Sequence, residues 1–110
     1  MLFTKVSIRS IAHIEAPISV SSAEISARLE QTLKRVKLPL NLLERMTGIK
    51  ARRFWSGDKQ PSDVATEVAE KVIQKSGLAK SDIGAIISTS ISKDFLEPSI
   101  ASIIHGNLKL

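Results

Sequence analysis

From Phe3 onward apolar and polar side chains alternate. Phe3, Lys5, Ser7 and Arg9 share one parity, and Thr4, Val6, Ile8 and Ser10 the other. The denser Ile11-Ala12-His13-Ile14 follows. The pattern predicts a strand over Phe3 to Ile14, half-buried at first, more buried at its end, and closed by Pro17. Ser21-Ser22-Ala23-Glu24 places a hydroxyl at a helix N-cap and a carboxylate three residues later, so a helix is expected from there to about Lys37. Ile25, Leu29, Leu33 and Val36 fall on one of its faces. Lys34, Arg35 and Lys37 crowd its last turn, where cations offset the helix dipole, and Pro39 ends it. Leu40 to Met46 predicts a short second helix, with Gly48 as a left-handed cap. Ile49 to Trp55 is extended or irregular, and Ser56-Gly57-Asp58 is a turn.

Ser62 is an N-cap candidate for a further helix to about Ser76, stopped by Gly77 and burying Val64, Val68 and Val72 with Ala65 and Ala69. Ile83 to Ser90 is a short apolar run that ends in small hydroxyl residues. Directly after a helix, it predicts a central strand buried on both faces. Asp94-Phe95-Leu96-Glu97 is a loop, and Pro98 suits the first position of a last helix. Ile100, Ile103 and Ile104 form the apolar side of that helix, and Gly106 or Asn107 caps it. The order is α/β. Two strands facing three longer helices make a lopsided layer arrangement, because helices need enough sheet to cover. No repeat, low-complexity tract or linker interrupts the chain.

The length of 110 residues and 43% hydrophobic content fit one small domain. Charged residues at 25% argue against wholesale disorder. The absence of cysteine excludes, within these residues, a disulfide framework, a cysteine-ligated zinc site and any thiol nucleophile. His13 and His105 are too few and too far apart to suggest a metal site, and none is expected. No run approaches the roughly 20 apolar residues that span a bilayer. The N-terminus lacks the basic, apolar and cleavage regions of a leader, so a soluble cytoplasmic protein is expected. Sixteen basic against eleven acidic residues give +5. Such a charge is common on an ordinary solvated surface, and it also suits a phosphate-bearing cofactor or an acidic carrier protein. Nucleic acid is not favoured, with four aromatics and no RNA-binding signature.

The chemistry-bearing residues admit plain structural readings. Spacing alone makes Glu97 a solvated loop carboxylate ahead of a helix, favoured by the dipole. Arg52 and Arg53 either fix the loop after Gly48, by bonding carbonyls or carboxylates, or contact phosphates. His13 is expected as a hydrogen-bonded core residue, His105 in a last helical turn, and Trp55 as packing. No Gly-x-Ser-x-Gly elbow surrounds Ser88, Thr89 and Ser90, which suit a strand end.

Gly48-Ile49-Lys50-Ala51-Arg52-Arg53 resembles the Gly-Ile-x-x-Arg-Arg signature of the ketoacyl-acyl-carrier-protein synthase III family, a branch of the thiolase superfamily. The helix near Ser62, Asp82-Ile83-Gly84, Ser88-Thr89-Ser90 and Pro98-Ser99 follow in that family's order and spacing. Met1-Leu2-Phe3, Ala12-His13-Ile14, Ala51-Arg52-Arg53 and Leu96-Glu97-Pro98-Ser99-Ile100-Ala101-Ser102-Ile103 resemble the branch that opens bacterial long-chain olefin biosynthesis. That branch joins two fatty acyl-coenzyme A molecules head to head in a non-decarboxylative Claisen condensation.

The resemblance implies that residues 1–110 are the N-terminal segment of the first half of a thiolase-like αβαβα layered fold. It implies a homodimeric enzyme about three times as long, whose catalytic cysteine lies a little beyond Leu110 and whose histidine and asparagine come from the second half. On this basis the chain alone is expected to be inactive. The substrate implied is an acyl-coenzyme A or acyl-carrier thioester, with no tightly bound cofactor. Glu97 becomes the one candidate for chemistry on the chain. The resemblance puts it on a loop that crosses the dimer interface, where an enclosed carboxylate suits a base for the carbon beside a thioester carbonyl. Arg52 and Arg53 become candidate contacts for coenzyme A phosphates or an acidic carrier. The tryptophan and arginine that sandwich the coenzyme A adenine in fatty-acid initiation enzymes are matched here by Leu42 and Met46, which departs from that branch. Two alternatives stand beside this reading. One is a conventional synthase III using a malonyl-carrier donor; the other is a free-standing carrier- or partner-binding module without catalysis.

Overall fold

A computed structural model describes residues 4–110 of the chain. They form two compact units, Glu15–Ser56 and Gly57–Leu110, the latter together with the segment that ends at Ile14.

In the Glu15–Ser56 unit, β1 (Ile18–Ser21) pairs antiparallel with β2 (Ala51–Phe54), placing Val20 opposite Arg52 and Ser21 opposite Ala51. β1 starts directly after Pro17, a residue tolerated just ahead of a strand because it has no N–H to give the ladder. The proline thus opens a strand where one was expected to close. The Ser21 cap forms as expected: its side chain accepts the Glu24 N–H at 3.0 Å. The helix it starts is divided into α1 (Ser22–Arg28) and α2 (Glu30–Arg35). At Leu29 the turn tightens, and its N–H is shared between Ile25 O and Ser26 O at 3.1 Å each. The inward stripe also differs from the expected one. Leu33 is buried and Ile25 half-buried, but Leu29 and Val36 are exposed, and Ser22 and Ser26 are buried in their place. α3 (Leu42–Thr47) ends at Gly48, whose φ of 68° is the expected left-handed cap.

In the other unit, α4 (Pro61–Ser76) starts two residues earlier than expected. Gln60 is the N-cap and Pro61 the first helical residue, so Ser62 lies inside the helix and is buried. Asp63 accepts the Gln60 N–H at 3.0 Å. Gly77, with φ 71°, closes the helix as expected. A 3₁₀ turn follows at Lys80–Asp82. α5 (Ile100–Leu108) starts after Ser99, whose Oγ accepts the Ser102 N–H at 3.2 Å; Pro98 therefore stands outside the helix rather than at its first position. Its cap is Lys109, with φ 56°, and Gly106 and Asn107 remain helical. α4 packs against α5. Ile104 and Leu108 are buried there, while the expected α4 positions Val64, Ala65, Val68, Ala69 and Val72 are half-buried.

Neither expected strand forms. Residues 4–14 and 83–90 have no ladder among the described residues, and Phe3 lies outside them. Alternation and apolarity mark a segment that can pair, but a strand exists only where a neighbour offers matching N–H and C=O groups. Instead, Lys75 Nζ donates to Ile11 O at 3.1 Å and Lys71 Nζ to His13 O at 3.0 Å. Val6, Ile8, Ile11 and Ile87 are accordingly exposed.

Candidate functional site

The loop before α5 is fixed by charge and backbone. Asp94 Oδ1 accepts the Ser62 N–H at 3.1 Å, so a carboxylate caps the first turn of α4, where N–H groups lack helical partners. Three residues later Glu97 precedes Pro98 and the Ser99 cap of α5; the Glu97–Pro98 peptide is cis. Glu97 is thus held between two helix N-termini, one reached through Asp94 and one through Ser99.

Glu97 lines an open recess of about 240 Å³. Leu96, Ile100 and Ala101 form its apolar wall. Ser88, Ser90 and Ser99 supply hydroxyls, and Lys93 supplies an ammonium. Ser90 Oγ donates to Ser92 O at 2.9 Å, in place of the strand-end role expected of these hydroxyls. Among the described residues, neither Glu97 nor Lys93 makes a hydrogen bond or an ion pair. Glu97 is exposed, as spacing alone predicts. The recess can therefore offer a base and a cation to an amphiphilic guest, beside an apolar wall. Sequence reasoning missed Lys93 and Asp94. Asp94 acts on a residue 32 positions away, which no local pattern announces.

Arg52 and Arg53 belong to the Glu15–Ser56 unit and Glu97 to the other. Arg52 Nη1 donates to Ser22 Oγ at 3.0 Å, and Ser22 Oγ in turn donates to Ile49 O. Arg53 Nε lies 3.2 Å from Glu15 Oε2, and its Nη1 donates to Ala16 O at 3.1 Å. Both guanidiniums thus bond within the unit, and the Arg53 side chain stays 50% exposed. A second recess in this unit, about 200 Å³, runs between α1 and α3 with Ala23, Ala27 and Leu40 on its walls and Glu44 as its one acid. It holds no cation. Leu42 lies in α3, as does Met46, which is exposed.

His13 is exposed rather than in the core, and only its carbonyl is engaged, because the segment carrying it finds no strand neighbour. His105 stands in the last turn of α5, as expected, and Trp55 is half-buried. Among the described residues no group of histidines and carboxylates is gathered as a metal site, and no helix is long and apolar enough to cross a membrane.

No family model matches the chain. It is 46% identical over 108 residues to an acyl-CoA:acyl-CoA alkyltransferase of Xanthomonas campestris pv. campestris, covering 98% of this chain and 32% of that protein. It is 45% identical over 62 residues to a beta-ketoacyl-[acyl-carrier-protein] synthase III of Lactiplantibacillus plantarum, covering 56% of this chain and 19% of that protein. Among solved structures, cerulenin-bound OleA of Xanthomonas campestris superposes with a TM-score of 0.82 at 46% identity, covering 99% of this chain and 32% of that one. A 3-oxoacyl-(acyl carrier protein) synthase III of Xanthomonas oryzae pv. oryzae does so with 0.81 at 45% identity, covering 98% and 32%. The chain spans about a third of the length of the curated alkyltransferase it matches.

Proposed function

We propose that this chain, a segment of a thiolase-fold protein of the synthase III and OleA kind, carries the base of an enzyme that condenses two fatty acyl-coenzyme A molecules head to head. The alkyltransferase relative and the solved OleA neighbours support the acyl-condensing class. The observation that carries the finer reading is Glu97: an unpartnered carboxylate on a loop pinned at both sides, facing a recess with an apolar wall.

Claisen condensation of two unactivated thioesters needs a proton removed from the carbon beside one carbonyl. That proton is weakly acidic, and a positioned carboxylate is a suitable acceptor. The resulting carbanion attacks the second thioester, a new carbon–carbon bond forms, and a thiolate leaves. The covalent half of the reaction requires a thiol, and residues 1–110 contain no cysteine. The nucleophile and its histidine and asparagine partners accordingly belong to the length that the relatives have beyond this match, as does the homodimer in which Glu97 serves the partner's site. Coenzyme A enters as part of the substrate, not as a resident cofactor. Arg53, whose side chain stays half exposed, is the candidate contact for a coenzyme A phosphate or an acidic carrier. Arg52, bonded to Ser22, contributes by holding β2 where Arg53 can present its edge.

A malonyl-carrier donor is the second reading, favoured by the likeness to synthase III proteins. Decarboxylation of malonyl generates the carbanion without a base, so that chemistry gives Glu97 no task. Leu42 and Met46 also replace the adenine-stacking pair that the fatty-acid initiation branch uses. The test is made in an enzyme of the relatives' full length carrying this segment. Glu97→Gln should abolish β-keto product while acyl transfer to the cysteine continues. Condensation at the ordinary rate would refute the reading.

A further inference from the structure

We propose that Asp94 is a positioning residue for the Glu97 base: its bond to the start of α4 roots the loop in its own subunit, from which the loop presents Glu97 to the partner's site. The inference rests on the reading of Glu97 as that base.

Burial along the loop is inverted. From Ile91 to Ser99 the apolar side chains of Ile91, Phe95 and Leu96 are exposed, and Asp94 is the one residue of the stretch that is not. A carboxylate is the costliest of these groups to take from water, so its enclosure needs a hydrogen bond. Asp94 Oδ1 accepts the Ser62 N–H at 3.1 Å. Ser62 is 3% exposed, and its N–H belongs to the first turn of α4, which offers it no helical acceptor. Pro61 has no N–H, and those of Asp63 and Val64 reach Gln60 O. Asp94 thus satisfies the remaining donor of that turn. The turn is itself tied to α5, because Thr66 Oγ1 donates to Ser62 O at 2.8 Å and accepts Asn107 Nδ2 at 3.3 Å.

The two ends of the loop confine what lies between them. Glu97 is three residues from Asp94 and two from Ser99, the cap of α5. Three residues of extended chain reach at most about 11 Å, so the Asp94 anchor limits where Glu97 can go. Among the described residues no other hydrogen bond ties residues 93–98 to a helix. Asp94 is not part of the lining of the Glu97 recess, so it acts through the loop and not on the substrate. A loop that serves a neighbouring subunit takes its direction from its own subunit only through such a root, and a base works only within hydrogen-bond reach of its proton.

The test measures condensation of a saturated long-chain acyl-coenzyme A, and acyl transfer to the cysteine, in an enzyme of the relatives' full length carrying this segment. Asp94→Ala should lower kcat for condensation about 100-fold, the cost of a misplacement of about 1 Å, with KM and acyl transfer within about twofold. Asp94→Asn should stay within about threefold of the parent, because its amide oxygen accepts the same N–H. Asp94→Leu, similar in size but without an acceptor, gives the same readout as Asp94→Ala should that variant not fold. Mixed dimers separate the loop from the rest of its subunit. With Asp94→Ala on one subunit and the cysteine removed from the other, the remaining cysteine meets a parental loop and should condense at the parental rate per site. With both changes on one subunit, the remaining cysteine meets the altered loop and should be as slow as in the Asp94→Ala dimer. Condensation within about twofold of the parent in Asp94→Ala or Asp94→Leu overturns the inference. So does Asp94→Asn as slow as Asp94→Ala, or an equal loss in the two mixed dimers. If condensation is lost in Glu97→Gln yet intact in Asp94→Ala, the Asp94 role alone falls. If condensation survives Glu97→Gln, the reading of Glu97 falls and takes the Asp94 role with it.

Discussion

Replacing Ser22 by alanine tests the link that joins the start of α1 to β2. Ser22 is 1% exposed. Its Oγ donates to Ile49 O and accepts Arg52 Nη1 at 3.0 Å, while its backbone N–H reaches Lys50 O at 2.8 Å. Alanine keeps the backbone bond and removes the other two. The neutral bond contributes about 1 kcal/mol and the one from the guanidinium about 1.5–3 kcal/mol. Arg52 is half-buried, so water recovers part of the second, and the expected loss is about 2 kcal/mol. Urea unfolding followed by the fluorescence of Trp55 reads this directly, because the single tryptophan belongs to the same Glu15–Ser56 unit. The midpoint should fall with the slope unchanged. A double-mutant cycle with Arg52→Met should show a coupling of about 1 kcal/mol, since the two residues share one bond. A Ser22→Ala loss below about 0.5 kcal/mol, the range of ordinary surface changes, would refute the argument. So would strict additivity with Arg52→Met.

Two further outcomes follow from the other unit. Leu108→Ala removes the most buried apolar side chain among the described residues, 1% exposed, and should cost about 2–5 kcal/mol; hydrogen exchange at the α4 and α5 amides should speed up together, and unchanged α4 protection would count against the packing of these two helices. The hydrogen bond from Lys59 to the Glu67 carboxylate holds the Lys59 ammonium above its ordinary value of 10.5. Its folded value is the raised one, so the contribution to stability is complete below 10.5 and fades as pH climbs through the folded value. A side-chain NMR titration should place the Lys59 midpoint above 10.5 and lower it in Glu67→Gln; an unmoved midpoint would contradict the pairing.

The features legible in the sequence are those whose causes lie within a few residues. The Ser21 cap, the glycine caps at Gly48 and Gly77, the short α3 and the long α4 all rest on local hydrogen bonds and backbone freedom. Errors of one or two positions came where two residues competed for one role. Pro61 displaced Ser62 from the cap of α4, because a residue without an N–H costs nothing in the first turn. Ser99 displaced Pro98 at α5, because its hydroxyl can accept an orphan N–H and proline's ring cannot. Strands were less legible. Periodicity marked residues 83–90 and most of 4–14 as able to pair, whereas the observed ribbon joins Ile18–Ser21 to Ala51–Phe54, whose pairing depends on partners some 30 residues apart in the chain.

The site divides along the same line. The types and order of Arg52, Arg53 and Glu97 were visible, but what each touches was not. Spacing gives Arg53 no reason to meet Glu15, nor Asp94 any reason to cap α4. Yet the second contact is what gives the Glu97 loop a fixed frame: one carboxylate is tied to the α4 N-terminus and the other, three residues on, is left untied. An N-cap carboxylate accepts N–H bonds and is engaged; a reactive base needs the opposite, a free acceptor in a held position. Asp94 and Glu97 divide those tasks. Removing Asp94 should therefore impair Glu97 without touching it: in Asp94→Ala the carboxylate keeps its chemistry but loses the anchor that sets its direction.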